Sequence, residues 1–298
     1  MHTYQSKGYK VFKVFNAILM TLICLAILYP IYYMVIVSLS DGAYVLSGRV
    51  TWRPMGSTFR AYRAILRDEL FINSYKNTLI ITGLGTLINL LMTMLCAYPL
   101  SRKELPGRRA MMTFATFTMF FTGGMIPNYL LVTSLGLGGT YWAVILPGAI
   151  SVYNMIIMRT FFEGIPVSLT EAAYIDGASD MRVLFNIVLP LSKPIIMTMI
   201  LFYAVGHWNG YFNAMLYLND KEMYPIQLFV RSIVLAGETL SASMASNVDA
   251  SAEYGATLLA EQSTKYAVVI LAMLPILIIY PIISKYFKGG VMIGAVKG

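Results

Sequence analysis

Long apolar stretches without a charged residue alternate with short polar segments along the whole sequence. A helix needs about 20 mostly apolar residues to cross a bilayer, because it rises about 1.5 Å per residue through about 30 Å of hydrocarbon. The third of the five uncharged stretches is long enough for two crossings, so the pattern predicts six transmembrane helices. The stretches are residues 14–40, 78–100, 110–158, 194–219 and 266–284.

A glycine-rich sequence predicts where the longest stretch divides. Residues 134–140 read SLGLGGT, which is typical of a turn between two helices. We expect one helix to end near Val132 and the next to begin near Tyr141. The first stretch, 14–40, is too long for the core of a signal peptide, and we interpret it as a retained first span.

Basic residues indicate how the spans are oriented, because lysine and arginine beside short connections favour the cytoplasm. They precede the first span and follow the second, fourth and sixth, which predicts that both termini are cytoplasmic. Six basic residues between Arg49 and Lys76 oppose this assignment, but long loops cross largely regardless of charge. The supporting residues are Lys7, Lys10, Lys13, Arg102, Lys103, Arg108, Arg109, Arg159, Arg182, Lys193, Lys285, Lys288 and Lys297.

Composition supports a membrane protein and argues against other classes. Of the 298 residues 58% are hydrophobic and only 12% are charged, whereas soluble domains carry about 25% charged residues. The net charge of +8 is explained by the basic flanks of the spans, without nucleic-acid binding. Cys24 and Cys96 each lie in an apolar run, so we expect neither a disulfide framework nor a thiolate metal cluster.

The polar segment 160–193 carries start and stop signals for two short helices. The sequence SLTE at 168–171 fits a capping box, and the Asp-Gly pair at 176–177 predicts a turn. Ser179 is a candidate cap for a second helix that stops at Pro190. This pattern predicts a helix-turn-helix hairpin, and composition alone would equally allow an amphipathic hairpin lying on the bilayer surface.

The hairpin resembles the EAA motif of ABC-importer permeases. Glu-Ala-Ala at 171–173 is followed by glycine at 177 and by Ile-Val-Leu-Pro at 187–190, with the spacing of that motif. In the family this hairpin is the coupling helix that docks into the ATPase subunit. The small alanines would permit close approach of a partner, and Glu171 is suited either to capping its own helix or to pairing with a basic residue of that partner. The resemblance assigns ATPase coupling to Glu171, Ala172, Ala173, Asp176, Gly177, Leu189 and Pro190.

The resemblance spans about residues 75–283 and implies an all-α, polytopic fold with six transmembrane helices, the type I ABC importer or MetI-like permease fold. It implies a first helix and extracytoplasmic segment at 1–74, a permease core at 75–284 with the coupling loop 160–193, and a cytoplasmic tail at 285–298. Trp-Asn at 208–209 with Phe212 resembles a signature of the carbohydrate-uptake subgroup, similar to the second maltose-type subunit.

Polar residues within the spans are candidates for the transport pathway, because such residues usually face protein or water. His207 and Asn209 are expected to bond between helices or to line a cavity, and Trp208 and Asn213 are further candidates. His207 has no neighbouring His, Cys or carboxylate in sequence that would make a metal site or a catalytic triad.

Asn128 is a fifth pathway candidate, in the third span. It follows a Gly-Gly pair at 123–124 and Pro127, which should bend or unwind the helix. Irregular backbone at membrane depth is tolerated where it is buried or lines a cavity. The glycine pair would equally allow close helix packing without any role in transport.

These features predict a permease subunit of an ATP-driven, binding-protein-dependent importer, for sugars or oligosaccharides, in the bacterial cell membrane. The sequence has no GxxxxGK[ST] loop, so we expect the chain to bind no cofactor and to have no enzymatic activity, with ATP and Mg²⁺ held by a partner ATPase. The other expected partners are a homologous permease, forming a heterodimer, and an extracytoplasmic solute-binding protein that contacts segment 219–264.

Two other classes of membrane protein are alternatives to an importer permease. A stand-alone secondary transporter or channel would show inverted repeats or ion-coupling carboxylates within the spans. An intramembrane enzyme would need paired catalytic side chains. The sequence shows neither feature.

Overall fold

The computed structural model describes residues 7–246 and 263–281, and every regular element in these residues is helical. The predictions for the tail 285–298 and for the middle of segment 219–264 lie outside the described residues. The helices are α1 (Lys7–Ser38), α2 (Gly42–Leu46), α3 (Arg60–Ile65), α4 (Glu69–Ser101), α5 (Arg108–Phe120), α6 (Met125–Ser134), α7 (Tyr141–Ile145), α8 (Val152–Glu163), α9 (Val167–Ile175), α10 (Asp180–Val183), α11 (Leu189–Leu191), α12 (Lys193–Asn209), α13 (Phe212–Tyr217), α14 (Ile226–Ser246) and α15 (Ser263–Pro281).

Three helices, α1, α4 and α15, are each long and apolar enough to cross a membrane. Three further crossings come from consecutive helices that are bent against each other: by 112° between α5 and α6, by 50° before α8, and by 85° before α12. By length and composition the described residues therefore provide up to six spans. This confirms the predicted all-α polytopic architecture, and the orientation of the termini stays a prediction.

The glycine signals at 123–124 and 134–140 are both confirmed. The third span breaks between Phe120 and Met125, where Gly124 has a φ of +86° that disfavours side chains with a Cβ. α6 then ends at Ser134 and α7 begins at Tyr141, so a turn separates the third and fourth spans as predicted.

The second span begins earlier than the uncharged stretch suggested. α4 starts at Glu69 and includes the polar residues Ser74, Asn77 and Thr78, all of which are buried. Asn77 and Thr78 form side-chain hydrogen bonds inside the protein, whereas the buried Ser74 hydroxyl has no partner among the described residues. Thr78 donates to the carbonyl of Ser74, and its oxygen also accepts from the backbone amide of Ile226. A charge-free window misses such a helix because internal hydrogen bonds replace water.

The hairpin forms, but its first helix is not capped as predicted. α9 begins at Val167 after Pro166, so Ser168 lies inside the helix and the capping box is not made. Gly177, with a φ of +78°, makes the turn, and Ser179 accepts from the amide of Arg182 as the predicted cap.

The second helix of the hairpin also continues past its predicted stop. A π-helical turn, Leu184–Val188, connects α10 to α11 and carries the chain beyond Pro190 to Leu191. Pro190 occupies the first turn of α11, where its missing amide hydrogen breaks no bond within that helix. The chain turns only at Ser192, before α12.

Contacts divide the chain into two units. The described part of the first unit, Met1–Asp68 with Val230–Met273, contains the end of α1, where Ser40 accepts from the amide of Met55 and from the hydroxyl of Ser263. The second unit, Glu69–Phe229 with Leu274–Gly298, contains a core in which fully buried residues such as Met158, Leu184 and Met199 join α8, the π-helical turn and α12. The predicted division at residue 74 stays a prediction.

Candidate functional site

A cavity of about 380 Å³ lies in the second unit along the C-terminal part of α12 and the start of α13. Its lining combines aromatic rings, hydroxyls and carboxamides, and none of the described lining residues is a lysine, an arginine or a carboxylate. The lining residues are Asn89, Val144, Gly148, Phe202, Tyr203, Gly206, His207, Asn209, Gly210, Tyr211, Phe212 and Asn213.

Asn89 organises one wall of this cavity. Its carboxamide oxygen lies 2.5 Å from Nε2 of His207, and its amide nitrogen donates to the carbonyl of Gly148 at 2.5 Å. Asn89 is buried, and both partners come from distant parts of the chain. A single side chain on α4 thus connects the second span to the fourth and the fifth.

Gly85 allows His207 to reach Asn89. A Cβ placed on Gly85 would lie only 2.5–2.9 Å from atoms of the His207 ring, which is closer than nonbonded carbon atoms approach. The histidine therefore occupies the space that any larger residue at position 85 would need.

The predicted pathway residues divide into two groups. His207, Asn209 and Asn213 line the cavity. Trp208 is instead buried, with its ring 6.1 Å from that of Tyr75, and Asn128 is exposed on α6 and outside the cavity lining. A pathway role for all five stays a prediction.

Sequence reasoning missed Asn89 and Tyr203, two cavity residues whose side chains form hydrogen bonds between helices. Asn89 was not singled out because it is a lone amide in an apolar run, and its partner His207 lies 118 positions away. Tyr203 shares a buried hydrogen bond of 2.6 Å with Thr93 on α4. Polar residues within predicted spans were the available signal for both, although sequence could not pair them with their partners.

The predicted coupling residues lie together on the hairpin formed by α9 to α11. Glu171, Ala172, Asp176, Gly177 and Pro190 are exposed. Ala173 and Leu189 are half-buried and pack against the core of the second unit. One side of the hairpin therefore packs against the core, and the other side leaves Glu171 and its neighbours exposed on the surface of the protein.

The hairpin also exposes an apolar residue that sequence reasoning did not single out. Ile175, at the end of α9, is 86% exposed. It directly precedes the Asp-Gly turn at 176–177.

An arginine connects the hairpin to the end of α4. Arg102, one residue beyond this helix, donates through its two terminal nitrogens to the hydroxyl of Tyr98 at 2.6 Å and to that of Thr170 at 3.2 Å. Its guanidinium also lies over the rings of Tyr98 and Tyr174, at 4.9 and 5.7 Å from their centres.

Tyr174 extends this contact into the second half of the hairpin. Its hydroxyl donates to Asp180 at 2.5 Å. Burial and this hydrogen bond raise the pKa of Tyr174 above its ordinary value, so the phenol keeps its proton at neutral pH and remains a donor.

A second group of charges holds the same end of α4. Arg108 and Arg159 both donate through Nε to the carbonyl of Leu100, at 2.8 and 2.9 Å, and both pair with Glu163. Positive groups at the carboxyl end of a helix are favourable because its last carbonyls carry partial negative charge. This group fixes α4 to α5 and α8.

The opposite end of α4 is tied to the segment that precedes α14. Asn77 donates to the carbonyls of Glu222 and Tyr224, at 2.6 and 3.1 Å, and accepts from the hydroxyl of Tyr141. Among the described residues, no cluster of three His, Cys, Asp or Glu is placed to hold a metal ion.

Comparison with known proteins identifies the family of this chain. A family profile described as "Binding-protein-dependent transport system inner membrane component" matches residues 4–292. The chain belongs to this family. It is therefore a multi-pass membrane protein and a permease subunit of an ATP-driven, binding-protein-dependent importer.

Relatives in this family are similar along nearly their whole length. The chain is 41% identical to the polygalacturonan/rhamnogalacturonan transport system permease protein YtcP of Bacillus subtilis, over 94% of this chain and 95% of the relative. It is 40% identical to the B. subtilis protein LplC, over 100% and 99%.

A solved structure shows the same fold. A chain from a bacterial ABC transporter "involved in the import of the acidic polysaccharide alginate" aligns with a TM-score of 0.86 and 34% identity, over 96% of this chain and 99% of that chain. This agreement confirms the MetI-like permease fold that the EAA resemblance implied.

Proposed function

We propose that this permease imports oligosaccharides of acidic sugars, together with a homologous companion permease, two ATPase subunits and an extracytoplasmic binding protein. The observation that carries the proposal is full-length similarity to two permeases, at 41% and 34% identity, whose names give polygalacturonan/rhamnogalacturonan and alginate as the substrates of their transport systems. All three of those polymers contain sugar acids.

The cavity beside α12 has the chemistry to contact a sugar. Carboxamides such as Asn209 and Asn213 can donate to and accept from hydroxyl groups, and rings such as Phe202 and Phe212 can pack on the apolar faces of a pyranose. Because no described lining residue carries a positive charge, this subunit would contact hydroxyls and ring faces, and the companion permease would neutralise the carboxylates.

The hairpin is proposed as the contact with the ATPase. Its exposed surface presents Glu171 and Ile175, whereas Ala173 anchors it to the core. This chain itself would bind no nucleotide, since its sequence contains no phosphate-binding loop; ATP and Mg²⁺ would bind the ATPase subunits. The hairpin and both termini would then be cytoplasmic.

Substrate competition in the complete importer tests the proposed class. The complex is reconstituted in liposomes with its binding protein on the substrate side and ATP on the ATPase side, and uptake of labelled trigalacturonate is measured. We expect unlabelled trigalacturonate to abolish this uptake and maltotriose to leave it unchanged. Equal competition by maltotriose and trigalacturonate, or no uptake of labelled trigalacturonate at all, would contradict the assignment.

A further inference from the structure

The residue after α4, Arg102, is placed to join two parts of the importer that must move together. Its terminal nitrogens reach Tyr98 on α4 and Thr170 on the hairpin, while its guanidinium lies over Tyr174. The neighbouring Lys103 is exposed, and none of the described hydrogen bonds or ion pairs involves it. The bridging role therefore depends on position 102 and not on positive charge alone.

Arg102 contacts the hairpin behind its exposed surface. Thr170, which is 4% exposed, directly precedes Glu171, the residue proposed to meet the ATPase. Tyr174 in turn donates to Asp180 across the turn. Movement of either hairpin helix would thus displace groups that contact the guanidinium directly or through Tyr174.

The same α4 helix carries Asn89, which forms the wall of the polar cavity with His207 and Gly148. Asn89 lies 13 positions before Arg102, or about 20 Å along a helix that rises about 1.5 Å per residue. A displacement of the end of α4 would reach Asn89 through a continuous helix, without any intervening loop.

We propose that Arg102 is a positioning residue that transmits movement of the coupling hairpin to α4 and, through α4, to the cavity at Asn89 and His207. The inference rests on the proposed function, since it requires an ATPase to move the hairpin. It adds to that function a specific attachment point for α4. Without this attachment the ATPase would still dock on the hairpin and hydrolyse ATP, but the cavity would respond less, because only the apolar contacts between the hairpin and α4 would remain.

The test measures whether the cavity changes accessibility when ATP is used. Gly206 lines the cavity, and a Cβ there would meet no atom within 4 Å, so Gly206→Cys adds a thiol without a clash. Cys24→Ser and Cys96→Ala remove the native thiols. The labelling rate with a water-soluble maleimide is compared in the complete importer, in nanodiscs with its binding protein, before and after trapping with ATP and vanadate.

In this parent we expect trapping to change the labelling rate by about fivefold or more, the factor that corresponds to a coupling free energy of about 1 kcal/mol. With Arg102→Gln the two rates should move closer together than in the parent while ATP hydrolysis continues. Lys103→Gln removes the same charge one residue away and should behave as the parent. Equal responses of Arg102→Gln and Lys103→Gln would overturn the inference.

A second variant decides the matter if Arg102→Gln fails to assemble. Tyr98→Phe combined with Thr170→Val keeps the arginine and both side-chain shapes but removes both hydroxyl acceptors. We expect this pair to reduce the change in labelling rate, and a full response would overturn the inference. If the parent itself shows no change on trapping, the proposed coupling of the hairpin to the ATPase fails, and this inference fails with it.

Discussion

Gly85 is the residue on which the packing of α4 against α12 depends most directly. Any Cβ there would collide with the His207 ring, which Asn89 holds in place. We expect Gly85→Ala to lower the free energy of unfolding by about 1–3 kcal/mol, the usual cost of overpacking. Thermal unfolding of the detergent-solubilised importer measures this.

Gly83 provides the matched control for that prediction. It lies on the same helix, and a Cβ on it would meet no atom within 4 Å. Gly83→Ala should therefore leave the unfolding midpoint unchanged or raise it slightly, since alanine favours helix over glycine. If the two variants unfold at the same temperature, the close contact between Gly85 and His207 is not formed in the protein.

At this scale the sequence identified polar side chains but not their partners. His207, Asn209 and Asn213 were predicted from polarity within a span, and all three line the cavity. Asn89 and Gly85 were not identified from sequence, because their importance comes from contact with His207, more than 100 positions away. Periodicity and motifs describe neighbours along the chain, so contacts of this kind become visible only in the folded molecule.

The hairpin is the element for which a charge change gives the clearest prediction. Glu171 is exposed on α9 and is proposed to pair with a basic residue of the ATPase. Disrupting a charge pair enclosed at an interface costs about 2 kcal/mol or more, so Glu171→Lys should weaken ATPase attachment by about 30-fold or more. Titration of the permease pair in nanodiscs with purified ATPase measures this affinity.

Glu104 is the control for the charge reversal. It is also exposed and lies just beyond the end of α4, outside the hairpin. Glu104→Lys changes the net charge equally and should leave the ATPase affinity near that of the unmodified importer. If Glu171→Lys binds the ATPase as tightly as Glu104→Lys, the carboxylate of Glu171 has no part in docking.

Local signals predicted the elements well where turns need particular residues. Gly177 makes the turn of the hairpin with positive φ, and Ser179 caps the second helix. The local signals failed where tertiary packing determines where a helix begins or ends. α9 begins at Val167 without the predicted capping box, and a π-helical turn carries the next helix past Pro190, with Leu184 and Val188 buried in the core.

A helix within segment 219–264 was also missed. The segment was expected to contact the binding protein, without any helix assigned to it, yet α14 occupies Ile226–Ser246. Its first residues Ile226, Leu228 and Phe229 are buried. The apolar stripe was short and followed by Ser and Ala, so hydropathy alone did not distinguish it from a loop.

At the scale of the whole molecule, α4 connects the regions proposed to function together. Asn77 near its start bonds the segment before α14, Asn89 forms the cavity wall, and Arg102 follows its end at the hairpin. The six spans and the EAA hairpin were predictable from sequence, because each has a local signature. The role of α4 in joining these regions was not predictable from sequence, because it depends on three separate long-range contacts.

Reconstitution with one component left out tests whether this permease transports only together with an ATPase. Liposomes contain the permease pair with or without the ATPase subunits, and uptake of labelled trigalacturonate is followed in the presence of the binding protein and ATP. We expect uptake above the external concentration only when the ATPase subunits are present. Uptake of the same extent by the permease pair without ATPase would show a stand-alone transporter or channel, and the chain would then not be an importer subunit that depends on ATP.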